Sequence, residues 1–289
     1  MKQVTRTLFV AALLLLCGCG KSTDELKIIS FNIRYNSWND IDGENRWTNR
    51  RDAVVRMIRE ERPAAIGLQE ALIDQLRYLD SCLPEYRRIG VGRDDGKVAG
   101  EFMAIYYDTA RLELLRADTR WLSETPHEPG KGWDAACCRT VTVARFNDRQ
   151  SGKRFVYLNT HLDHVGQVAR AEGAKLIASL TYAENECFDW PVVLGGDMNS
   201  TIDDTAVFNR FYTAGLCDAR TLTDSTSRSV TYNAFGKQEG KVIDHFFVKD
   251  AKVLRFRTLD GDYGVPYISD HYPIEIAISL QDARKTPSN

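Results

Sequence analysis

The stretch that decides the fold is residues 191–200, which read PVVLGGDMNS. Its first part is a short apolar run, typical of a fully buried strand. The run then changes abruptly to two glycines, Asp197 and Asn199. Strand ends are rigid mounts, and carboxylate and amide oxygens are the ligands that hard cations such as Mg²⁺ or Mn²⁺ prefer. The stretch therefore predicts a buried strand that ends in groups able to hold a metal or a phosphate.

The same pattern, an apolar strand followed by polar residues, recurs along the chain. It occurs at residues 29–32 (ISFN), 67–70 (GLQE), 158–164 (LNTHLDH), and as a pair at 243–245 (IDH) and 269–273 (SDHYP). Each cluster alone is a weak signal, because a strand-end Asp or Asn is more often a turn or a helix cap. Four of the five histidines lie in these clusters, however. Packing does not easily account for that concentration, which favours one shared site.

The segments between the clusters predict a single α/β domain over residues 26–280. Strands are predicted at 26–33, 65–68, 101–107, 111–122, 135–146, 155–160, 191–194, 242–248 and 274–280. Amphipathic helices are predicted at 48–61, 72–83, 165–183 and 204–212. Several strands follow one another without a helix, which indicates sheets packed on each other with helices outside. No linker interrupts the domain, and residues 281–289 form a short tail.

The ordered set SFNIR, LQE, NTHLDH, GGDMNS, IDHFFV and SDHYP resembles the endonuclease/exonuclease/phosphatase superfamily, whose fold is DNase I-like. The early polar loop resembles that of the CCR4-like bacterial branch. The resemblance implies a four-layer α/β sandwich, in which two mixed sheets lie face to face and helices cover them. It also implies a phosphoesterase that depends on Mg²⁺ or Mn²⁺, without indicating the substrate.

The resemblance also implies roles for particular residues. It implies that five residues are catalytic, because they position the water, the phosphate or each other: His161, Asp197, Asn199, Asp244 and His271. It implies that the metal ligands are Asn32, Glu70 and Asp270. A carboxylate on one ring nitrogen of a histidine favours the imidazolium, so an Asp244–His271 pair suits stabilisation of developing negative charge.

Three further residues are candidate contacts to the phosphate or the substrate. Arg139 lies where relatives often carry a phosphate-facing arginine, and a charge on the strand surface is an equal alternative. Glu101 begins a predicted strand and could reach the metal region. Asn159 precedes His161 in the NTHLDH cluster. His164 and His245 are predicted neighbours of the site without an assigned role.

Composition excludes several classes of protein. The 289 residues are 43% apolar and 27% charged, with a net charge of −2, which indicates a folded, water-soluble chain. A net charge this close to zero excludes a protein that binds nucleic acid mainly through a high net positive charge. Five cysteines lie beyond the N-terminal segment, and the favoured interpretation is buried thiols on strands: Cys82, Cys137, Cys138, Cys187 and Cys217.

The N-terminal segment predicts export. Residues 1–18 join a basic start to an unbroken apolar run, which is too short for a membrane span but right for a signal peptide. Gly18 before Cys19 resembles a bacterial lipobox, so we expect lipidation at Cys19 and a tether over residues 19–25. A secretory signal with incidental cysteines is the alternative.

These observations predict an extracytoplasmic, membrane-anchored phosphoesterase that acts as a monomer. Its substrate could be a small phosphoester, a phospholipid head group or a nucleic acid, although the acidic charge argues against long duplex DNA. The alternative is a catalytically inactive member that binds a carbohydrate, a lipid or a protein. Such a binding module has no need of the full set of acids, amides and histidines.

Overall fold

The computed structural model describes residues 25–37, 41–227 and 229–280. Four α-helices occur in these ranges: α1 (Trp47–Glu61), α2 (Ile73–Cys82), α3 (Gln167–Phe188) and α4 (Thr205–Thr213). The same ranges contain twelve strands: β1 (Glu25–Asn32), β2 (Ala65–Gln69), β3 (Tyr86–Ile89), β4 (Ile105–Asp108), β5 (Leu112–Trp121), β6 (Thr140–Asp148), β7 (Arg154–His161), β8 (Val192–Asp197), β9 (Cys217–Asp218), β10 (Asp244–Lys249), β11 (Ala251–Thr258) and β12 (Ile274–Leu280).

The strands form two six-stranded mixed sheets. The first has the order β11-β12-β1-β2-β4-β3, and the second has the order β5-β6-β7-β8-β10-β9. Each sheet has one parallel pair at its centre, β1 with β2 and β7 with β8, and its other pairs are antiparallel.

Three apolar clusters hold the layers together. One joins the facing sheets, where Ile28 and Ile276 meet Tyr157 and Phe246. A second lies between the first sheet and the helices α1 and α2. The third lies between the second sheet and the helices α3 and α4. The order helix, sheet, sheet, helix confirms the predicted four-layer sandwich.

The two parallel pairs explain why the polar clusters meet. Parallel strands end at the same edge of a sheet. Asn32 at the end of β1 is therefore in register with Gln69 at the end of β2, and His161 at the end of β7 with Asp197 at the end of β8. Asp244 begins β10 directly opposite Asp197. One edge of the sandwich thus collects most of the chemically active side chains.

Packing between β7 and β8 requires a glycine at the second position of the GGD motif. A Cβ added at Gly196 would lie 2.1 Å from the backbone oxygen of Thr160 on β7. No other residue type lets β7 and β8 approach so closely at this point. The motif therefore keeps His161 and Asp197 close together at their strand ends.

Several predicted element boundaries are wrong. The strands expected at 101–107 and 135–146 begin only at Ile105 and Thr140. Three strands were not predicted at all, namely β3, β9 and β11, and all three lie at sheet edges. An edge strand is half exposed and lacks one neighbour, so its apolar alternation is weak. Helix α3 extends to Phe188, beyond the predicted end at residue 183.

The interpretation of the cysteines is also wrong. All five are free thiols, and none is buried: Cys82, Cys137 and Cys138 are half-buried, and Cys187 and Cys217 are exposed. Of the five, only Cys217 lies in a strand.

The predicted signal peptide, the lipidation site Cys19 and the tail at 281–289 lie outside the described residues, as does the tether up to residue 24. Among the helices that are described, none combines the length and the hydropathy that a bilayer span requires.

Candidate active site

The strand ends from both sheets line a cleft of about 680 Å³. Eight of the residues predicted for the site form part of its wall: Glu70, Glu101, Arg139, His161, Asp197, Asn199, Asp270 and His271. Three others, Asn32, Asn159 and Asp244, are buried behind the wall.

Asn32 connects the two sheets at the base of the cleft. Its Nδ2 atom lies 3.0 Å from Glu70 Oε1 and 3.0 Å from Asp197 Oδ2, and it donates to both. Its Oδ1 atom accepts the backbone N–H of Arg34 at 3.0 Å. Asn32 therefore positions two carboxylates, and its role as a metal ligand stays a prediction.

Glu70 is held in an unusual backbone conformation. Its φ of 61° lies in the left-handed region, which a non-glycine residue rarely adopts and which is frequent at functional sites. The carboxylate accepts N–H groups from Asn32 and from the backbone of Tyr35. Burial acts to raise the pKa of Glu70, but the Asn32 hydrogen bond and the Arg34 charge lower it overall, so this carboxylate is ionised.

Glu70 and Asp270 are the acidic pair predicted to bind a metal. Each lies 3.9 Å from the guanidinium of Arg34, Glu70 through Oε2 and Asp270 through Oδ2. Burial and the neighbouring charge of Glu70 raise the pKa of Asp270. A carboxylate whose charge is disfavoured in this way gains from a cation, and carboxylate oxygens suit Mg²⁺ or Mn²⁺. The residues therefore fit a hard divalent cation.

A second group could also hold a metal ion. Asp197, Asp244 and His271 place one potential ligand atom each within 4.8 Å of the others. All three side chains are buried.

Asp197 has the properties of a base that works near neutral pH. Its Oδ1 atom accepts the backbone N–H of Asn199 at 2.8 Å, which keeps the carboxylate facing the cleft. Burial and the nearby charge of Asp244 raise the pKa of Asp197 to about 7. A general base is most effective when its pKa lies near the working pH. The structure thus supports a proton-accepting role for this group.

Asn199 acts on its neighbours. Its amide nitrogen lies 2.9 Å from His161 Nε2 and donates to the backbone oxygen of Leu162 at 2.9 Å. Its backbone, with a φ of 48°, adopts a left-handed conformation that Asn tolerates well. Asn199 therefore orients both Asp197 and His161 at the cleft wall.

His161 is held as a neutral ring. Burial and the charges of Arg139 and Arg93 hold its pKa well below the usual range. Asn199 donates to Nε2, which leaves the ring proton on Nδ1. That Nδ1 atom is buried, makes no hydrogen bond within the described part of the chain, and lies 4.0 Å from Glu101 Oε2. His161 therefore has a donor to spare for a phosphate oxygen.

His271 is held as an imidazolium by a buried carboxylate. Its Nδ1 atom lies 2.8 Å from Asp244 Oδ2, and its Nε2 atom lies 3.7 Å from Asp197 Oδ2. Burial acts to lower the pKa of His271, but the charges of Asp244 and Asp197 raise it well above the usual range. The ring can therefore stabilise negative charge at the cleft through Nε2–H, as the sequence predicts.

Replacing Asp244 by asparagine is expected to shift the pH profile of any activity that needs the His271 imidazolium. Without the Asp244 charge the pKa of His271 falls, so the ring loses its proton at lower pH. The alkaline limb of the kcat/KM profile should move to lower pH, and the acid limb should move in the same direction, because the Asp244 charge also raises the pKa of Asp197. An unchanged alkaline limb would show that His271 does not act as the cation.

Glu101 and Arg93 form a half-buried ion pair on the opposite wall. Arg93 Nη1 lies 2.6 Å from Glu101 Oε2. Burial and the charge of Glu70 raise the pKa of Glu101 to about 7. Glu101 therefore lies near both Glu70 and His161. Its contact to a metal stays a prediction, and the predicted strand does not begin at this residue.

Arg139 presents an unused donor to the cleft. Asp163 accepts from its Nε at 3.2 Å, and His164 Nδ1 lies 2.9 Å from its Nη2. Its Nη1 atom is buried and makes no hydrogen bond to the described residues. A buried guanidinium nitrogen without a partner is costly unless a ligand satisfies it. Arg139 therefore has a donor available for an anion, and its contact to a phosphate stays a prediction. The alternative of a charge on the strand surface is wrong, because the side chain is buried.

Asn159 lies away from the cleft. Its Nδ2 donates to the backbone oxygens of Leu68 and Ala104, each at 2.9 Å, and its Oδ1 accepts from Gln69 at 2.6 Å. The side chain is fully buried and links the two sheets. The structure gives it no path to a substrate, in contrast to the predicted contact.

Of the two histidines without an assigned role, only one lines the cleft. His164 does so beside Arg139. His245 packs against Phe208 in the core, with Nε2 3.2 Å from the backbone oxygen of Ser200. Several other lining residues were not predicted for the site. Arg34 ends the SFNIR motif, and the others belong to no motif: Arg93, Cys137, Tyr232, Gln238 and Lys241.

Comparison with known proteins agrees with this geometry. Residues 29–271 match the model of the Endonuclease/Exonuclease/phosphatase family. A solved endonuclease/exonuclease/phosphatase from Bacteroides vulgatus is 34% identical, with 89% of this chain and 99% of that one covered and a TM-score of 0.82. A mannosyl-6-phosphatase of Bacteroides thetaiotaomicron is 32% identical, with 88% and 99% covered and a TM-score of 0.82. The human Nocturnin catalytic domain, at 17% identity, 89% and 94% coverage and a TM-score of 0.68, shares the fold.

Proposed function

The chain belongs to the endonuclease/exonuclease/phosphatase family, and from that premise we propose that it is a divalent-metal-dependent phosphoesterase whose substrate is a small, soluble phosphomonoester such as a sugar phosphate. The observation that carries the proposal is the convergence of a base (Asp197), an imidazolium (His271) and an acidic pair (Glu70 and Asp270) on one cleft. Together these groups supply what ester hydrolysis at phosphorus requires.

Each group has a distinct task in the proposed reaction. Asp197 accepts a proton from the attacking water, because its pKa of about 7 leaves it partly ionised at neutral pH. The Nε2–H of His271 and the Nδ1–H of His161 donate to phosphate oxygens that gain charge in the transition state. A divalent cation at Glu70 and Asp270 would neutralise a phosphate oxygen and make bound water more acidic.

The charges in the cleft favour a monoester. Such a substrate carries close to two negative charges at neutral pH, as phosphorylated side chains do. Besides the histidines, four cationic side chains from the described residues line the cleft: Arg34, Arg93, Arg139 and Lys241. The similarity to a mannosyl-6-phosphatase supports the same class of substrate.

The topology favours a soluble substrate over a lipid of the same membrane. Strand β1 begins at Glu25 and reaches the cleft at Asn32, eight residues and about 25 Å later. A lipid on Cys19, joined by the tether, would hold the molecule by the end of the sandwich opposite to the cleft. The active site would then face away from the bilayer.

We further propose that the protein is an extracytoplasmic lipoprotein anchored through Cys19. The basic start, the apolar run and the Gly18-Cys19 step of the sequence support this proposal. Labelling of cells with a radioactive fatty acid should mark the wild type and leave Cys19→Ser unmarked. Equal labelling of both proteins, or none of either, would contradict the anchor.

A panel of esters tests the proposed substrate class. The purified protein should be assayed with Mg²⁺ or Mn²⁺ on mannose 6-phosphate, an aryl phosphomonoester, an aryl phosphodiester and phospholipid vesicles. We expect kcat/KM to be highest for mannose 6-phosphate and lowest for the vesicles. A preference for the diester or for the vesicles would overturn the assignment to small monoesters. Metal-dependent turnover of any of the four substrates would still support the broader proposal that the protein is a phosphoesterase.

A further inference from the structure

A side cavity of about 260 Å³ adjoins the cleft. The two spaces share four wall residues, so they are continuous: Arg34, Tyr232, Gln238 and Asp270. The side cavity adds the apolar side chains of Ile41 and Phe235 to this wall. It is smaller than the about 300–1,000 Å³ typical of pockets for drug-sized ligands, so its volume suits a single small ring.

One loop, residues 231–241, forms most of the side cavity. Its two ends pair through the backbones of Tyr232 and Lys241. Its backbone is also fixed to the catalytic segment, because the N–H groups of Asn233 and Ala234 donate to the backbone oxygen of Asp270 at 2.7 and 3.1 Å. The loop is therefore hydrogen-bonded directly to the backbone of a predicted metal ligand.

The loop contains a left-handed turn that costs free energy. Ala234, Phe235 and Gly236 have φ values of 52°, 54° and 72°. The left-handed conformation is unfavourable for a non-glycine residue, and such strain persists only where surrounding contacts enforce it. A Cβ at Gly236 would lie 2.3 Å from the hydroxyl of Tyr267, so this position accepts only glycine without a shift. The turn buries Phe235 in the cavity wall.

The wall combines an aromatic ring with groups that both donate and accept hydrogen bonds. The Tyr232 ring lies 5.0 Å from the His271 ring, so the side cavity begins directly beside the catalytic centre. Gln238 donates to the Tyr232 hydroxyl at 2.8 Å. Amide and phenol groups can donate to and accept from hydroxyls, and an aromatic face can cover the apolar side of a ring. These are the contacts that a polyhydroxylated ring can use.

We propose that the side cavity is the subsite for the alcohol part of the substrate, and that it selects a monosaccharide-sized polyol over a bare phosphate or an aryl group. The inference rests on the proposed function, since it assumes that the cleft holds the phosphate. It adds the residues that determine specificity, which are Tyr232, Phe235 and Gln238. These act on binding and are not part of the catalytic machinery.

Calorimetry with an inactive variant tests the subsite separately from catalysis. In Asp197→Asn protein with Mg²⁺ present, mannose 6-phosphate, phenyl phosphate and inorganic phosphate are titrated in turn. We expect mannose 6-phosphate to bind at least about tenfold more tightly than the other two, the usual effect of a few satisfied hydrogen bonds. Equal affinity for all three ligands, or no measurable binding of the sugar phosphate, would overturn the proposal.

Three substitutions, each added to the Asp197→Asn protein, test whether the side cavity causes the preference for the sugar phosphate. Gln238→Ala removes the exposed amide, and Gly236→Ala forces the turn against Tyr267. Both should bring the affinity ratio of mannose 6-phosphate to inorganic phosphate close to one. Gly152→Ala is the matched control, because Gly152 has a similar φ of 70° and nothing within 4 Å of an added Cβ.

The outcomes separate this inference from the proposed function. If Gly236→Ala does not fold, the test of the subsite depends on Gln238→Ala alone. An unchanged affinity ratio of mannose 6-phosphate to inorganic phosphate in that variant would contradict the proposed subsite. If the binding preference holds but protein with native Asp197 hydrolyses no ester with any divalent cation, the proposed function fails and the subsite stands.

Discussion

Replacing Asp197 by asparagine is expected to lower kcat by about 10²- to 10⁴-fold, the usual contribution of a positioned general base. The asparagine keeps an oxygen to accept the N–H of Asn199 but cannot take a proton from water. KM should change much less than kcat, because the phosphate donors of His161 and His271 remain. The measurement is steady-state hydrolysis of a phosphomonoester at saturating Mg²⁺.

The same variant should fold with a stability close to that of the wild type. A carboxyl group whose pKa is raised on folding destabilises the folded state at any pH above that folded pKa, and burial raises the pKa of Asp197 to about 7. A neutral amide removes that cost at pH 8, but it replaces the oxygen that accepts from Asn32 with a donor, so the two effects oppose each other and the Tm should change little. The matched control is Asp203→Asn, an exposed carboxylate on the same loop, which should keep full activity. Wild-type turnover in Asp197→Asn would exclude Asp197 as the base.

Replacing Glu70 by glutamine is expected to have the second-largest effect. A metal contributes several kcal/mol of transition-state stabilisation, so its loss should lower kcat/KM by about 10²- to 10³-fold. The concentration of Mg²⁺ that gives half-maximal activity should rise in parallel, because the amide lacks the charge that holds the cation. Glu70 is the predicted metal ligand, and Asn32, Arg34 and the Tyr35 backbone keep its carboxylate in place.

Metal affinity measured by calorimetry provides a readout of Glu70→Gln that is independent of turnover. The control is Glu128→Gln, which removes an exposed carboxylate outside the cleft. If Glu70→Gln bound Mg²⁺ as tightly as the control does, the metal would have to sit elsewhere, and the group of Asp197, Asp244 and His271 would be the next candidate.

The strand-end chemistry could be predicted from the sequence because its signal is local. A buried strand followed by Asp, Asn, Glu or His can be identified within about six residues, as at Asp197 and His161. The parallel pairing of β1 with β2 and of β7 with β8 then brings those ends to one edge. The residues at the strand ends could therefore be identified locally, whereas the four-layer fold was implied by the resemblance to a known superfamily.

The rest depends on contacts that the sequence does not display. Arg93 joins the cleft from a loop with no motif, and Tyr232 does so from a loop whose path is set by backbone hydrogen bonds to Asp270. Asn32 and Asn159 look alike as strand amides, yet one contacts two acidic groups and the other two backbone carbonyls. Only the three-dimensional neighbours determine which role an amide takes.

An inactive binding module is the alternative function that these experiments also address. Such a module has no reason to keep a buried His271–Asp244 pair or an Asp197 whose pKa is raised by burial. Buried charges are costly and are retained where they serve chemistry. The arrangement therefore favours catalysis over simple recognition.

The most direct test of the central claim is the release of inorganic phosphate from mannose 6-phosphate by the purified protein, followed before and after removal of divalent cations. We predict turnover with Mg²⁺ or Mn²⁺, its loss after chelation, its return when the metal is restored, and its absence in Asp197→Asn. Turnover that persists in the chelated protein, or that Asp197→Asn retains, would contradict the account of a metal-dependent phosphoesterase centred on this cleft.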